Sequence, residues 1–321
     1  MKGKYKIRIQ NKRIRYDFEI TRNITIIQGN SATGKTTLID MIREYHENGM
    51  DSGIELSCTV PCAVLEGKNW KILLSSYQNS ILFIDEGNRF VSSQEFAELI
   101  HESSNYFVIV TRESLPMLPY SVEEIYGIRN AGKYGGLKRT FNELYHVYRQ
   151  DTMEGTICPE VIITEDSNAG FQFFETVGSS RGILSISSGG KSNLFTAILK
   201  HKAEKVLVIA DGAAIGSEMN KLGYLLQIYT NIILYLPESF EWLILKSGVL
   251  NSREIDEILE SPSDFIDNLE YISWERYFTA LLTKRTNGTY LAYDKRKLNP
   301  AYKAGSISKK ILAVMKNIEI S

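Results

Sequence analysis

An octet with two glycines and a lysine, GNSATGKT at positions 29–36, lies between the apolar segment ITIIQ and a stretch with helical spacing of apolar residues. It matches the pattern G-x-x-x-x-G-K-[ST] in full, and it stands where that pattern must stand, between a strand and a helix. Glycines let backbone N–H groups close around phosphate oxygens, and the helix N-terminus adds positive potential. We therefore expect a phosphate-binding loop, followed by a helix from Lys35 to about His46.

The octet predicts a role for its side chains. Lys35 is expected to reach the β- and γ-phosphates of a nucleotide as a catalytic residue, and the Thr36 hydroxyl is expected to bind Mg²⁺. The predicted nucleotide-binding residues are Gly29, Asn30, Ser31, Ala32, Thr33, Gly34, Lys35, Thr36 and Thr37.

Two further apolar runs end in polar residues. SILFIDE, residues 80–86, ends in Asp85 and Glu86. Asp85 is expected to bind Mg²⁺, and Glu86 is expected to orient or deprotonate the attacking water. YFVIVTR ends in Thr111 and Arg112. Thr111 fits a catalytic sensor of the γ-phosphate, and Arg112 fits a cation that neutralises charge in the transition state.

Strand-like apolar runs alternate with helical stretches along the chain, which is typical of an α/β protein with a mostly parallel sheet. A glycine-rich, polar segment, RNAGKYGGLKRT, interrupts this alternation before it resumes with the run EVIITE. At 321 residues the chain is long enough for two domains of ordinary size. We therefore predict two α/β domains in tandem, residues 1–150 and residues 151–321.

Through GNSATGKT and ILFIDE, residues 5–115 resemble the P-loop NTPases of the AAA and ABC/SMC-like groups. The resemblance implies an enzyme, an ATPase that uses ATP and Mg²⁺. ABC proteins carry an LSGGQ signature between these two motifs, and this chain has no such sequence in that interval. A small nucleotide or nucleoside kinase is a further alternative, but the chain has no arginine-rich lid and the second domain would then be unexplained.

The segment ILSISSGGKSNLF, residues 183–195, resembles parts of two nucleotide-binding motifs. Its SSGGKS is similar to the ABC signature but comes after the second motif. Its GGKS is similar to the end of a phosphate-binding loop, but Ser185 stands where the first glycine is required. A third interpretation is based on the neighbouring strands, which end in Glu165 and Asp211. Because strand-end carboxylates of a parallel sheet meet at one edge, these two residues and the glycine-rich turn are expected to form one site.

With this turn between them, Glu165 and Asp211 resemble the site of the Toprim domain of topoisomerases, primases and the overcoming-lysogenization-defect (OLD) nucleases. The OLD family also places an ATPase before a Toprim domain. The resemblance implies that both residues bind a divalent metal and take part in phosphodiester cleavage, with Glu165 as the acid/base. The second aspartate of the family's D-x-D pattern is Ala213 here, and the candidates to replace it are Asp166, Glu218, Glu238 and Glu241.

The resemblance leaves two functions open. The first is an ATP-gated nuclease that acts on DNA or RNA, in antiviral defence or on a mobile element. The second is an ATP-controlled switch or scaffold, whose Toprim-like half has lost catalysis and binds a protein or a nucleic acid. The alanine at position 213 favours the second.

Basic residues are concentrated at both ends of the chain, although its net charge is −1. Residues 281–321 carry nine Lys or Arg against two acidic residues. Tyr290, Tyr293 and Tyr302 interleave these charges and are expected to stack on bases. We therefore predict a nucleic-acid partner. We also predict a homo-oligomer or a partner protein, because in ATPases of this kind one subunit often completes its neighbour's site.

Apolar runs and cysteines bear on the location of the protein. No apolar run reaches the roughly 18 residues of a membrane helix, and the N-terminus has no apolar signal-peptide core. Cys58, Cys62 and Cys158 form no disulfide framework and have no zinc-ligand spacing, so we expect small apolar fillers. We therefore predict a cytoplasmic protein without a membrane partner.

Overall fold

The computed structural model describes residues 1–29, 33–131, 139–148 and 156–320. It is an α/β protein with one large, mostly parallel sheet and a second, parallel sheet. The chain divides into two compact units: Met1–Tyr148 with Ser263–Ile272, and the described part of Arg149–Pro262 with Ser273–Ser321. The predicted boundary near residue 150 lies outside the described residues.

The first unit is built on a nine-stranded sheet in the order β4-β1-β2-β9-β8-β3-β7-β6-β5. Its strands are β1 Tyr5–Gln10, β2 Ile14–Ile20, β3 Ile24–Ile27, β4 Glu55–Ser57, β5 Cys62–Val64, β6 Ile81–Ile84, β7 Tyr106–Val110, β8 Ile125–Asn130 and β9 Thr140–His146. Its helices are α1 Lys35–Asn48, α2 Trp70–Ser76 and α3 Gln94–His101. The expected helix from Lys35 is thus confirmed.

The centre of this sheet is apolar on both faces. β3, β6 and β7 read ITII, ILFI and YFVIV, and every residue in them is buried. Continuous apolar runs of this length are typical of parallel strands that are covered on both sides. The three strands are parallel to one another, with Ile27 opposite Val110 and Ile84 opposite Ile109, so their carboxyl ends lie at one edge.

The second unit is built on a four-stranded parallel sheet in the order β11-β10-β12-β13. Its strands are β10 Val161–Thr164, β11 Leu184–Ser187, β12 Val206–Ile209 and β13 Ile232–Tyr235. Its helices are α4 Ala169–Ser179, α5 Lys191–Lys200, α6 Met219–Ile228, α7 Phe240–Lys246, α8 Arg253–Glu260, α9 Trp274–Thr286 and α10 Gly305–Leu312. The predicted alternation of strands and helices is confirmed in this half from β10 to β13.

A short segment from the second half of the sequence, Ser263–Ile272, belongs to the first unit. The side-chain amide of Asn268 donates hydrogen bonds to the carbonyl oxygens of Ser103 and Asn105, at 2.8 and 3.1 Å. The amino group of Met1 lies 3.2 Å from the Asp267 carboxylate. Polar contacts thus fix this segment, and its sequence alone does not indicate them.

Two predictions about individual side chains are wrong. Tyr293 and Tyr302 are buried, at 5% and 0% exposure, and cannot stack on bases. Tyr290 is exposed, so stacking stays a prediction for that ring alone. Cys158 is exposed and is not an apolar filler.

Among the described residues, no helix combines the length and apolar character that crossing a membrane requires.

A buried ion pair lies in the first unit. Glu124 and Arg22 are both almost inaccessible, and Arg22 Nε lies 3.5 Å from Glu124 Oε1. The hydroxyls of Thr21 and Thr25 donate hydrogen bonds to the same carboxylate, at 2.8 and 2.9 Å. Burial raises the pKa of Glu124, against the attraction of Arg22. The carboxylate therefore depends on its cation to remain charged inside the protein.

Removal of this cation is expected to destabilise the protein strongly. Arg22→Met leaves a buried carboxylate without its ion-pair partner, so the free energy of unfolding should fall by about 3–5 kcal/mol. Urea denaturation at neutral pH measures it, and Arg13→Met, which removes an exposed arginine, is the control. Equal stability of the two variants would contradict the role of the pair.

Candidate functional site

The sheet of the first unit brings the predicted nucleotide-binding elements to one edge. β7 lies between β3 and β6 in the strand order. Gly29 follows β3, Thr111 follows β7, and Asp85 and Glu86 follow β6. Because the three strands are parallel, the structure places these residues side by side at their carboxyl ends.

The glycine-rich loop requires glycine at position 34. Gly34 has φ 93° and precedes α1 directly, and a Cβ there would lie 2.7 Å from the Tyr16 hydroxyl. That hydroxyl donates a hydrogen bond of 2.8 Å to the Gly34 carbonyl oxygen. Both the positive φ and the contact exclude a larger residue. The predicted binding residues Asn30, Ser31 and Ala32 lie outside the described residues.

Lys35 is held inside this loop. Its side chain is buried, and Nζ donates hydrogen bonds to the Gly29 carbonyl oxygen at 2.7 Å and to Thr33 Oγ1 at 3.1 Å. Burial and the charge of Arg112 lower the pKa of Lys35, while Glu86 and Asp85 act in the opposite direction. The four charges are therefore close enough to influence one another.

The side chains of Thr36 and Thr37 are exposed in the first turn of α1.

The two carboxylates after β6 have different surroundings. Asp85 Oδ1 accepts a hydrogen bond of 2.8 Å from the backbone N–H of Glu86. Glu86 Oε1 lies 2.9 Å from Nε of Arg112, which thus pairs with the proposed water-orienting carboxylate.

Thr111 is buried in a local turn rather than directed at an open surface. Its hydroxyl donates to the Glu113 carbonyl oxygen at 3.2 Å and accepts from the Glu113 N–H at 3.0 Å. Its own N–H donates to Ile27 at the end of β3, at 3.2 Å. Thr111 thus joins β7 to β3 at the site edge, and its role as a sensor stays a prediction.

In the second unit, Glu165 and Asp211 follow the neighbouring strands β10 and β12. The backbone N–H of Asp211 donates a hydrogen bond of 3.4 Å to Glu165 Oε2. The SSGG turn lies against the same place, because the Ser188 hydroxyl and the Gly190 N–H both donate to the Glu165 carbonyl oxygen, at 2.9 and 2.8 Å. The turn therefore supports the strand end that carries Glu165.

A cluster of acidic residues surrounds these two carboxylates. Burial raises the pKa of Glu165 and of Asp166. Burial, followed by the charges of Glu275 and Glu165, raises the pKa of Asp211 well above its usual range. Several carboxyl groups are thus gathered where burial and mutual repulsion favour their protonated forms.

Besides Lys191, which acts on Glu165, Lys295 supplies compensating positive charge. Its Nζ donates a hydrogen bond of 2.5 Å to Glu275 and lies 4.0 Å from Glu241. Glu241 is fully buried and accepts a hydrogen bond of 2.7 Å from the Tyr293 hydroxyl. Although burial opposes it, the carboxylates of Glu241 and Glu275 raise the pKa of Lys295. Lys295 is therefore a fixed ammonium within the acidic cluster.

The sequence predicted only part of this cluster. Of the four candidates to replace an aspartate at position 213, Asp166 and Glu241 belong to it, whereas Glu218 lies beside Lys221 at 3.4 Å. The fourth candidate, Glu238, follows β13. Sequence analysis did not predict Glu275 or Lys295 as members of the cluster. Glu275 lies in the first turn of a helix far along the chain, and Lys295 belongs to the basic run DKRK, which is typical of an exposed surface.

Metal binding by Glu165 and Asp211 stays a prediction. Within the ranges that the structure describes, no three His, Cys, Asp or Glu side chains are arranged to hold a metal ion. Mg²⁺ requires several hard oxygen ligands. Lys295 already neutralises part of the acidic charge, and Ala213 removes one carboxylate.

No protein-family model, curated protein or solved structure matches this chain.

Proposed function

We propose that the first unit binds ATP at the end of β3 and hydrolyses it. The strand order β3-β7-β6 carries this proposal, because it gathers Lys35, Asp85 and Glu86 at one edge of the sheet. A loop with glycines at positions that require them, a buried lysine and a helix N-terminus together suit a bound phosphate.

Each residue has a distinct task in the proposed reaction. Lys35 would exchange its hydrogen bonds to Gly29 and Thr33 for bonds to phosphate oxygens. Glu86 would accept the proton of the attacking water or orient that water. Arg112, which pairs with Glu86 at 2.9 Å, would hold this carboxylate in place before the nucleotide binds.

The residues at this edge fit Mg²⁺. Nucleotide-bound Mg²⁺ takes only one or two oxygen ligands from the protein. The exposed Thr36 hydroxyl and the Asp85 carboxylate, which accepts one backbone N–H, provide them. When bound, the ion would neutralise charge on the phosphates.

For the second unit we propose a nucleic-acid ligand and an ATP-gated nuclease. Exposed basic side chains from the last part of the chain would contact phosphates. They are Lys284, Arg296, Lys297, Lys309, Lys310 and Lys316. Glu165 and Asp211, at adjacent strand ends, are the residues that the predicted cleavage requires.

A second candidate is an ATP-controlled switch without nuclease activity. The ammonium of Lys295 among the carboxylates and the alanine at position 213 favour it, because both leave less negative charge for divalent metal. This candidate also keeps the ATPase of the first unit. It differs only in that the second unit binds a nucleic acid or a protein and cuts nothing.

One assay on the purified chain tests both units. Phosphate release and cleavage are followed together on supercoiled plasmid, linear DNA and total RNA, with Mg²⁺ or Mn²⁺, with and without ATP. Glu165→Ala and Asp211→Ala are compared with Glu175→Ala, which removes an exposed carboxylate from α4.

Cleavage that is lost in Glu165→Ala and Asp211→Ala but kept in Glu175→Ala supports the nuclease. Phosphate release without cleavage of any substrate contradicts the nuclease and leaves the switch. An ATP-dependent complex with a nucleic acid or a protein that still forms in Glu165→Ala and Asp211→Ala would then support the switch. No phosphate release under any condition contradicts the proposed hydrolysis.

A further inference from the structure

The strands β1 and β2 have one buried face and one accessible face. Ile7 and Ile9 of β1, with Tyr16 and Phe18 of β2, lie in the same hydrophobic core as Leu38 of α1. Side chains alternate along a strand, so the residues between them point away from this core, and they are accessible to solvent. We call this accessible side of β1, β2, β8 and β9 the outer face.

The register of the strands gathers basic side chains on the outer face, at the end where β1 turns into β2. Residues that pair across neighbouring strands point to the same side of a sheet. The pairs at this end are Arg8–Asp17, Arg15–Phe141 and Arg129–Glu143. With the turn after β1 and the residue before β9, this end of the sheet carries six cations: Arg8, Lys12, Arg13, Arg15, Arg129 and Arg139.

One carboxylate of the outer face, that of Asp17, is shared by three cations. Its oxygens lie 3.7 Å from Lys6 Nζ, 3.0 Å from Arg8 Nε and 2.7 Å from Arg15 Nη2. Further along the face, Lys6 lies opposite Glu19, and these two charges offset each other. Two more carboxylates stand beside the six cations: Glu55 and Glu143. The outer face therefore carries net positive charge, although the chain as a whole does not.

Two of the arginines are held over aromatic rings. The guanidinium carbon of Arg15 lies 5.7 Å from the centroid of the Phe141 ring, and that of Arg129 lies 5.3 Å from the centroid of the Tyr145 ring. Nε and Nη2 of Arg129 also lie 2.9 Å from Glu143 Oε1. A side chain that is already held in place loses less conformational freedom when it binds a ligand. These guanidinium groups are therefore prepared to bind an anion.

A phosphodiester backbone suits the outer face better than an anionic membrane does. Five of the six cations are arginines, whose guanidinium groups bind phosphate oxygens through two parallel hydrogen bonds. Four strands about 4.8 Å apart spread these cations over roughly 14 Å, which is enough for several phosphates of one chain. Proteins that lie on a membrane also insert apolar side chains into the lipid. Within the described part of the outer face, no large apolar side chain is exposed.

We propose that the outer face of the first unit binds the phosphate backbone of a nucleic acid through its six cations. None of them belongs to the C-terminal basic side chains that are proposed to contact a nucleic acid from the second unit. The inference depends neither on ATP hydrolysis nor on cleavage. Since backbone contacts carry no sequence information, binding depends strongly on salt and little on sequence.

The test measures binding of full-length protein to labelled nucleic acid by fluorescence anisotropy at several salt concentrations. The probes are short single strands of DNA and RNA and a DNA duplex. Arg13→Gln combined with Arg129→Gln removes two exposed charges of the outer face. We expect about 10- to 100-fold weaker binding, and a slope of log Kd against log salt that is lower by about 2, because two phosphate contacts are lost.

The matched control is Lys68→Gln combined with Lys71→Gln, which removes two exposed charges elsewhere in the first unit. It should bind like the wild type, and circular dichroism verifies that both variants fold. Equal affinity and equal salt dependence of the two variants would overturn the proposal. So would tighter binding of the wild type to vesicles of anionic phospholipid than to any of the nucleic acids.

Asp17→Asn should change binding in the opposite direction. Asparagine keeps the size of the side chain but removes the charge that three cations share, so affinity for each probe should rise. Asp51→Asn, which neutralises an exposed carboxylate of the same unit, is its control and should leave affinity unchanged. An unchanged or lower affinity in folded Asp17→Asn protein would count against the outer face.

A third variant separates this interface from that of the second unit. Lys309→Gln combined with Lys310→Gln removes two exposed charges from the C-terminal tract. If this variant loses binding while Arg13→Gln with Arg129→Gln keeps it, the outer face is not the interface and the proposal for the second unit stands. Loss of affinity in the outer-face variant supports the inference, whatever the C-terminal variant does.

Discussion

Glu86→Gln is expected to lower the rate of ATP hydrolysis by about 10²–10⁴-fold, the range for loss of a general acid–base residue, while ATP still binds. Glutamine keeps the size of the side chain and can still accept a hydrogen bond from Arg112, but it cannot take a proton from water. Glu86 follows β6 with its carboxylate 2.9 Å from Arg112, next to the buried Lys35. The loss should therefore appear in kcat and leave the affinity for ATP little changed.

Glu113→Gln is the matched control for this variant. It neutralises another exposed carboxylate at the same edge of the sheet, directly after Arg112. Phosphate release under saturating ATP gives kcat for each protein, and binding of a fluorescent ATP analogue gives the affinity. If Glu86→Gln hydrolyses ATP as fast as Glu113→Gln, then Glu86 is not the residue that activates water.

Lys35→Ala is expected to weaken ATP binding by about 10- to 100-fold. This range corresponds to the loss of a hydrogen bond between charged groups, roughly 1.5–3 kcal/mol. Lys35 Nζ also holds the loop through Gly29 and Thr33, so its removal should disorder the phosphate site as well. Hydrolysis should fall with binding, in contrast to Glu86→Gln.

The control for Lys35→Ala is Lys68→Ala, which removes an exposed lysine from the same unit. Calorimetric titration with ATP and Mg²⁺ measures affinity, and thermal melting followed by circular dichroism verifies that each variant folds. Unchanged affinity in a folded Lys35→Ala protein would exclude the glycine-rich loop as the nucleotide site.

Much of the fold could be predicted from the sequence because its central strands are short and almost wholly apolar. Apart from Thr25, the runs ITII, ILFI and YFVIV consist of aliphatic and aromatic residues, a pattern typical of strands that are buried on both sides. The polar residues that end them, Asp85 and Thr111 among them, then fall at one edge by geometry alone. The order in which the strands pair depends on long-range packing, which local patterns do not contain.

In the second unit, the sequence indicates only some of the residues of the acidic cluster. Glu165 and Asp211 end apolar strands, so sequence placed them at one edge correctly, and the backbone of Asp211 contacts Glu165 at 3.4 Å. Lys295 lies in a basic run that resembles a solvated surface, yet its ammonium contacts Glu275 at 2.5 Å. A long side chain can turn inward or outward from the same backbone position, and composition does not reveal which.

The exposure of the tyrosines in the C-terminal tract could not be predicted from the sequence either. Tyr290, Tyr293 and Tyr302 have similar surroundings in sequence, but only the first is exposed. Tyr302 donates a hydrogen bond of 2.7 Å to the Leu291 carbonyl oxygen, and Tyr293 donates one to the buried Glu241. Each buried hydroxyl has a partner from another part of the chain, and that partner decides its position.

Titration of the wild-type chain with a non-hydrolysable ATP analogue, with and without Mg²⁺, measures whether the first unit binds a nucleotide. We expect saturable binding of one nucleotide per chain, tighter with Mg²⁺ than without it. An absence of saturable binding at millimolar nucleotide, in protein shown to be folded, would contradict it.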